Sequence, residues 1–253
     1  MDYAFGLVRY LNTSPFRWGL RALGHTRWVN EVPARLLALL QQGQVEAAIV
    51  PAFDVLSHRG LMLVPGSCIA CHGPARSVCV FSRIPLRQAG TVALDTSSHT
   101  SAALVRILMA EWGCRPAFVA MEPDLDHMLA EADAALLIGD PCMRASPSGL
   151  IVTDLGDAWR ELTGLPFVFA LWAARPGADR AGLAQLIAQA RDRGLADVED
   201  VAAQEAARLG LDRELCLQYL RDEMRYQLDD AMLAGLERYR SLCVRHGLLP
   251  DAG

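Results

Sequence analysis

The chain has 253 residues, of which 52% are hydrophobic and 21% charged, and its formal net charge is −5. This composition supplies a large apolar core, and the length allows one large domain or two small ones. The acidic balance and the lack of a basic block argue against nucleic-acid binding. The longest apolar runs, such as 134–138 and 166–174, are too short to span a bilayer, so we expect no membrane partner. No charged segment followed by an apolar one begins the chain, so we expect a cytoplasmic protein.

Strand-like and helix-like patterns alternate along the first 175 residues. The predicted strands of the first series are 3–8, 28–31, 45–50, 61–65 and 77–83, and the predicted helices are 15–23, 34–42 and 52–58. In the second series the predicted strands are 91–94, 117–121, 134–139, 150–153 and 166–174, and the predicted helices are 98–111, 125–132 and 158–162. From residue 178 onward the pattern predicts only amphipathic helices. The alternation favours α/β units with parallel-type sheets that are covered on both faces.

The break between the two series, near 83–90, predicts two lobes. Lobe 1 would hold residues 1–84 plus 173–253, including the C-terminal helices, and lobe 2 would hold 85–172. Two crossover strands, near 83–91 and 169–175, and a central cleft describe a two-lobed α/β fold of the type II periplasmic-binding-protein kind. A single sheet of about ten strands is the structural alternative.

Three polar segments, 10–15, 73–77 and 95–101, lie near strand ends, and the first and third separate a predicted strand from a helix. In an open α/β sheet these turns lie at the carboxyl ends of strands, where ligands usually bind. Helix N-termini there offer unpaired N–H groups that suit carboxylates or phosphates. Ser14, Thr96 and Ser97 are equally typical of ordinary N-caps. The three segments together favour an anion site.

The seven cysteines and six histidines give no strong metal signal. Cys68 and Cys71 form a C-x-x-C pair, but no second pair with zinc spacing exists. An odd number of cysteines in a cytoplasmic chain indicates reduced thiols. Among the histidines only His99 lies inside a candidate site. We therefore expect no metal.

A set of short motifs occurs in a specific order along the chain. They are Tyr10-Leu11-Asn12-Thr13, Gly73-Pro74 with Ser77, Pro85-Leu86, the run 134–140, Asp154-Leu155-Gly156, Trp159 and the run 163–172. Together they resemble the chorismate dehydratase family of the futalosine route to menaquinone, over about residues 3–175. The resemblance implies a two-lobed binding-protein fold and no cofactor. It also implies the conversion of chorismate, the small-molecule substrate, to 3-[(1-carboxyvinyl)oxy]benzoate with loss of water.

The resemblance and the polar segments together nominate site residues. Asn12 and Ser77 are the catalytic candidates, because an amide can orient a carboxylate or the leaving hydroxyl and a small hydroxyl can donate to a carboxylate. The structural alternative for Asn12 is a turn or N-cap residue. The substrate-binding candidates are Tyr10, Thr13, Ser98, His99, Thr100, Ser101, Gly139 and Asp140.

A general base is harder to assign. Asp140 follows a buried-looking strand, but capping the next turn is an equally good interpretation of it. His99 could titrate near neutrality. We favour proton abstraction by the substrate's own enolpyruvyl carboxylate, which is attached to the carbon that loses the proton.

Two other functions compete with this interpretation. One is a non-catalytic binding protein for a small aromatic or carboxylate ligand, which would normally carry a signal peptide. The other is the sibling dihydroxynaphthoate synthase of the same pathway, whose first loop is rich in Ser, Pro and Asn, unlike Tyr10-Leu11-Asn12-Thr13. The sequence leaves the oligomeric state open, with a homodimer among the options.

Overall fold

The computed structural model describes residues 3–58 and 60–251. Its contacts divide the chain into two compact units. Unit 1 comprises Met1–Ala70 and Val168–Asp230, and unit 2 comprises Cys71–Phe167 and Ala231–Gly253. These bounds differ from the sequence-based ones, 1–84 plus 173–253 and 85–172.

Each unit is built on its own sheet. The strands in chain order are β1 Phe5–Val8, β2 Trp28–Glu31, β3 Ala47–Pro51, β4 Met62–Cys71, β5 Val78–Ser82, β6 Thr91–Asp95, β7 Ala117–Met121, β8 Ala134–Ile138, β9 Ile151–Asp154, β10 Phe167–Ala174 and β11 Met224–Gln227. The unit 1 sheet has the order β11-β4-β10-β3-β1-β2, and the unit 2 sheet has the order β7-β6-β8-β5-β9.

Helices flank both sheets and follow most of the strands. In chain order they are α1 Ser14–Ala22, α2 Pro33–Gln41, α3 Ala52–Ser57, α4 His99–Glu111, α5 Leu125–Glu131, α6 Gly139–Arg144, α7 Leu155–Thr163, α8 Arg180–Ala196, α9 Val198–Leu209, α10 Arg213–Gln218 and α11 Asp230–Arg245. None of them, among the residues that the structure describes, combines the length and apolarity needed to cross a membrane.

The sheets are mixed rather than parallel throughout. In unit 1, β1 runs parallel to β2 and β3, but β10 pairs antiparallel with β3. In unit 2, β6 runs parallel to β7 and β8, whereas β5 is antiparallel to β8 and β9. The sequence predicted β1 to β10 but not these two reversals, because strand pairing depends on contacts between segments that are far apart in the chain.

The first boundary lies earlier than predicted because β5, predicted to belong to lobe 1, pairs with β8 and β9 in the unit 2 sheet. Strand β4 also runs further than predicted. Pro65-Gly66 indicated a strand end. In the structure Gly66 adopts φ +89°, a conformation open to glycine, and the strand continues through the buried segment 67–71. The chain therefore passes into unit 2 at the end of β4 and returns at the start of β10, not near 83–91.

The C-terminal region also departs from its prediction. It contains a strand, β11, whose Met224 and Tyr226 are buried while their neighbours are exposed. The last helix, α11, belongs to unit 2 and not to the lobe predicted for it. There the Tyr239 ring packs 6.2 Å from Trp159 and 5.1 Å from Phe167, measured between ring centroids.

Aromatic residues of the run 163–172 lie in the cores. Trp159 and Phe167 pack in unit 2 at a centroid distance of 5.2 Å. Trp172 packs in unit 1 against Phe5 at 6.1 Å and Phe16 at 5.3 Å. Both tryptophans are fully buried. These residues therefore stabilise the units.

Helices α1 and α8 approach each other unusually closely in unit 1. A Cβ atom added to Gly19 would lie 1.8 Å from the Ala190 carbonyl oxygen, and one added to Gly194 would lie 1.9 Å from the Pro15 carbonyl oxygen. Because both obstacles are backbone atoms, a side chain cannot be accommodated without moving a helix. This packing fixes the start of α1 and the loop that precedes it.

Replacing Gly19 by alanine should therefore destabilise the protein by about 1–3 kcal/mol, the usual cost of overpacking. Helix propensity alone predicts the opposite sign, a gain of about 1 kcal/mol. Urea denaturation measures the difference. Gly90→Ala is the control, because its added Cβ would meet only the Asp133 carboxylate at 3.4 Å. A Gly19→Ala protein as stable as the parent would contradict the close packing.

Candidate functional site

One edge of the unit 2 sheet gathers most of the nominated residues. Strands β6 and β8 are parallel, and β5 is antiparallel to β8 and β9, so the carboxyl ends of β6, β8 and β9 meet at one edge. The start of β5 lies at the same edge. Helices α4, α6 and α7 begin there. This is the place where open α/β sheets usually bind ligands.

Asp95, the last residue of β6, holds two loops of this edge together. Its Oδ1 atom accepts hydrogen bonds from the backbone N–H of Ser97 at 2.8 Å and from the Ser97 hydroxyl. Its Oδ2 atom accepts from the backbone N–H of Ile138, at the end of β8, at 3.1 Å. Burial raises the pKa of the Asp95 carboxyl, and these donors offset part of that effect. Asp95 therefore positions the loops, and its occupied oxygens make it a poor general base.

Asp154, at the end of β9, holds the segment that leads to Ser77 by accepting hydrogen bonds from its backbone. It caps α7 by accepting from the backbone N–H of Gly156 at 2.8 Å. It also accepts from the N–H groups of Ala75 at 2.9 Å and Arg76 at 2.7 Å. Burial raises the pKa of this carboxyl too. One carboxylate thus ties the start of a helix to the loop before Ser77.

Arg76 has a strained backbone beside Ser77. Its φ is +52°, and it is the one non-glycine residue with positive φ in the part of the chain that the structure describes. Such a conformation is sparsely populated and is often found at functional sites. Ser77 itself is buried, and its carbonyl accepts a hydrogen bond of 2.7 Å from the Gly139 N–H. Ser77 and Gly139, nominated separately from the sequence, therefore lie side by side.

The serines at the start of α4 are partly committed to capping. The Ser98 hydroxyl accepts from the Ser101 N–H at 3.2 Å and pairs with the Ser101 hydroxyl at 3.0 Å. Thr100 is buried, and its carbonyl accepts from the Tyr239 hydroxyl at 3.0 Å. His99 is exposed. The structural role for Ser98 and Ser101 is thus established, and contact with a ligand is a further role that we propose below.

Gly139 and Asp140 form the first turn of α6. Gly139 has φ +62°, which favours glycine at this turn. The Asp140 side chain is buried at the N-terminus of a six-residue helix, where the helix dipole favours a negative charge.

In unit 1 the nominated loop follows β1 and is held by a cation. The Arg17 guanidinium donates to the carbonyls of Val8 at 3.0 Å and Tyr10 at 3.2 Å, and to the Thr13 hydroxyl at 2.7 Å. The Thr13 hydroxyl in turn donates to the Val8 and Tyr10 carbonyls. Thr13 is fully buried, so its hydroxyl positions the loop rather than meeting a ligand. Tyr10 is buried as well.

Asn12 differs from its neighbours in this loop. Its Oδ1 atom is shielded from solvent and accepts no hydrogen bond from any residue that the structure describes. A buried acceptor without a donor is costly and uncommon in native proteins. A ligand hydroxyl placed against it would satisfy this oxygen. The observation favours a functional role for Asn12 over that of a turn residue, whose side chain would be hydrogen-bonded to the backbone.

The positioning roles of Arg17, Asp95 and Asp154 were not predicted from the sequence. Arg17 follows Thr13 by one helical turn, a spacing that allows contact. Asp154 stands at an N-cap position, but the helix was predicted to begin at Ala158 instead of Leu155, which hid the cap. For Asp95 no sequence signal marks a bond to Ile138, because that contact depends on the pairing of β6 with β8.

The C-x-x-C pair has no special chemistry in the structure. Cys68 and Cys71 are both buried free thiols in β4. Burial raises the pKa of Cys68 to about 12 and raises that of Cys71 as well, which disfavours the reactive thiolate. Among the described residues no group of three His, Cys, Asp or Glu side chains could hold a metal ion.

Comparison with known proteins decides the family. Residues 3–245 match the model of a family described as menaquinone biosynthesis. The chain belongs to this family. It is also 36% identical to the chorismate dehydratase of Thermus thermophilus, in an alignment that covers 94% of the chain and 93% of that relative.

Solved structures of the same fold support the architecture. Protein AF1704 from Archaeoglobus fulgidus superposes with a TM-score of 0.74 at 17% identity and covers 96% of this chain and 98% of its own. The periplasmic aliphatic sulphonate binding protein SsuA from Escherichia coli superposes with a TM-score of 0.69 at 16% identity, covering 98% and 88%. The periplasmic-binding-protein-like fold predicted from the sequence is confirmed.

Asp95→Asn tests the carboxylate that joins β6 to β8. An asparagine keeps the shape but replaces one acceptor by an N–H₂ group, which would face the N–H of Ile138 or the donors of Ser97. At neutral pH we expect a loss of about 1–3 kcal/mol in the free energy of unfolding. Urea denaturation measures it, with the exposed Asp126→Asn as control.

The same variant gives a signed pH dependence. Because the pKa of Asp95 is raised above 3.8 in the folded state, the folded protein holds this proton more tightly than the unfolded chain. The contribution of the Asp95 carboxyl to the free energy of unfolding is largest below pH 3.8 and falls as the pH rises through the pKa of the folded state. The deficit of Asp95→Asn should therefore shrink as the pH rises from 3.8. A deficit that grows with pH would contradict the raised pKa.

Proposed function

We propose that this chain catalyses the dehydration of chorismate to 3-[(1-carboxyvinyl)oxy]benzoate, on the futalosine route of menaquinone biosynthesis. The observation that carries this proposal is the 36% identity to a chorismate dehydratase over 94% of the chain. Membership of the menaquinone-biosynthesis family agrees with it. The proposed enzyme is a hydro-lyase, because the reaction removes water. The cytoplasmic location stays a prediction.

The reaction depends more on the orientation of the substrate than on a strong acid or base in the protein. Chorismate loses the proton on C3 and the hydroxyl on C4, and the electron pair of the C3–H bond becomes the new ring double bond. The hydroxyl leaves with a proton as water. Because the product ring is aromatic, the driving force is large, and the protein has to orient the substrate and stabilise developing charge.

We propose that Asn12 and Ser77 are the catalytic residues. The shielded, unpaired Oδ1 atom of Asn12 suits the C4 hydroxyl as a donor, while the N–H₂ group of the amide can donate to the ether carboxylate. Ser77 is held in place by the Gly139 contact and by the loop that Asp154 ties down. A rigid hydroxyl at this position can donate to a carboxylate of the substrate.

The remaining nominated residues would bind the two carboxylates of the substrate. The start of α4, with Ser98, His99, Thr100 and Ser101, would provide hydroxyls and a helix N-terminus that favour anions. Gly139 and Asp140 would contribute through the backbone of the turn that begins α6. Tyr10 and Thr13 would act by shaping the loop of Asn12.

We propose that the substrate supplies its own base. Both carboxylate oxygens of Asp95 and of Asp154 accept hydrogen bonds from the loops that they hold, so we assign these residues positioning roles and not that of the base. The enolpyruvyl carboxylate is attached through the ether oxygen to C3, so it reaches the C3 proton once the side chain is folded. The proton passes to that carboxylate and leaves with the hydroxyl.

The activity itself is tested by incubating the purified protein with chorismate. We expect chorismate to disappear and an aromatic enol ether of matching mass, smaller by one water, to appear. The Asn12→Ala protein serves as the matched control for contaminating activity. Binding without turnover would instead favour the solute-binding alternative, and turnover of a cyclic futalosine derivative alone would favour the sibling enzyme.

The assignment of roles is tested by three variants at saturating chorismate. Asn12→Ala should lower kcat by about 10²–10³-fold, the size of effect seen when one positioned hydrogen-bonding group is lost. Asp140→Asn and His99→Ala should lower kcat by only roughly tenfold to a hundredfold, less than loss of a general base often costs.

The exposed amide variant Gln44→Ala is the control and should match the parent in kcat. Thermal melts establish that each variant is folded. An inactive Asp140→Asn protein beside a nearly normal Asn12→Ala protein would overturn the substrate-assisted mechanism and make Asp140 the base.

A further inference from the structure

Unit 1 contains a cationic hollow that the proposed reaction does not use. Helices α1 and α9 and strand β2 enclose about 250 Å³ beside the loop that follows β1. Its lining includes four arginines and two tryptophans, namely Arg9, Arg17, Arg21, Arg208, Trp18 and Trp28.

The floor of the hollow is a buried ion network. The Glu205 carboxylate is 4% exposed and accepts from Arg17 at 3.3 Å and from Arg208 at 2.6 Å. Arg17 is itself largely buried, with 13% of its side chain exposed. Arg17 also holds the loop carbonyls, so its position is fixed from two sides. A charged group with this rigidity gives a ligand a preformed partner.

Two arginines of the walls, Arg9 and Arg21, carry positive charge without a carboxylate partner among the described residues. Glu205 is the one carboxylate among the residues that line the hollow, against four guanidinium groups. Arg9 and Arg21 lie near aromatic rings, at 5.9 Å from the Tyr10 centroid and 5.8 Å from the Trp28 centroid, and they pair with no carboxylate among the described residues. Three net positive charges thus gather locally in a chain whose formal net charge is −5. Such a concentration attracts anions.

The two indole rings restrict the kind of anion. Trp18 is fixed because its Nε1–H donates to Asp197 at 2.8 Å. Trp28 also lines the hollow, half-buried in the edge strand β2. Flat aromatic walls beside guanidinium groups suit a planar ring that bears a carboxylate, because arginine pairs bidentately with carboxylate and the rings stack. The volume is below the roughly 300–1,000 Å³ of common ligand pockets, which favours a ligand of about one ring.

We propose that this hollow is a second binding site, distinct from the Asn12 and Ser77 residues, that takes a small aromatic monocarboxylate. The carboxylate pairs with Arg21 and with the Arg17–Glu205–Arg208 network, and the ring lies against Trp18 and Trp28.

The test uses 3-hydroxybenzoate as the probe and the indole N–H signals of the five tryptophans as the readout, in ¹⁵N-labelled full-length protein. Trp18→Phe and Trp28→Phe assign the two signals of the hollow. Saturable shifts of these two signals support the site, and shifts confined to the other three overturn it. Arg21→Gln should raise the apparent Kd by about tenfold or more, the effect expected when a charge-assisted hydrogen bond is lost. The exposed Arg180→Gln should not change it.

Two further measurements test whether the probe binds in the hollow and whether its aromatic ring is needed. In the Asn12→Ala protein the shifts and their Kd should be unchanged, and their loss would show that the probe reports the catalytic residues instead. Inorganic phosphate should shift the two signals only at much higher concentration. Equal affinity for phosphate and 3-hydroxybenzoate would overturn the aromatic part of the proposal, and an unchanged Kd in Arg21→Gln would overturn the site.

Discussion

The capture of backbone N–H groups by side-chain carboxylates at the edge of the unit 2 sheet is the interaction on which the candidate site depends. Asp95 joins the end of β6 to the end of β8, and Asp154 joins the end of β9 to the loop before Ser77. Loops at strand ends have few neighbours to hold them, and one carboxylate with three or four donors removes much of that freedom. The strained backbone of Arg76 persists because these bonds hold it.

In unit 1 a positively charged side chain, that of Arg17, holds the loop that follows β1. This loop presents carbonyls, not N–H groups, and the Arg17 guanidinium supplies several donors to them from α1. The close packing of α1 on α8 at Gly19 fixes the helix from which this side chain extends. Asn12 differs because its side-chain oxygen, Oδ1, accepts no hydrogen bond from this network. We propose that this unpaired acceptor is available to a hydroxyl of the substrate.

Much of this could be predicted from sequence, and the failures share one cause. Local patterns gave strands such as β2 and β7 to the residue, and motif order pointed to the family. The sequence also placed Ser77 and Gly139 among the candidates without showing that they touch. The extension of β4 past Pro65, the strand β11 and the transfer of α11 to unit 2 depend on contacts between residues far apart in the chain. The bonds of Asp95 depend on sheet pairing in the same way, and no local pattern encodes them.

The most direct test of this account is a crystal structure of the protein with 3-[(1-carboxyvinyl)oxy]benzoate bound. We expect the amide of Asn12 and the hydroxyl of Ser77 both to hydrogen-bond to the product, at heavy-atom distances of about 2.6–3.2 Å. The bonds of Asp95 and Asp154 to the backbone should be unchanged from those described above. A product that contacts neither Asn12 nor Ser77 would contradict the proposed roles of these residues. Release of the Asp95 or Asp154 carboxylate from its backbone donors would contradict their positioning roles.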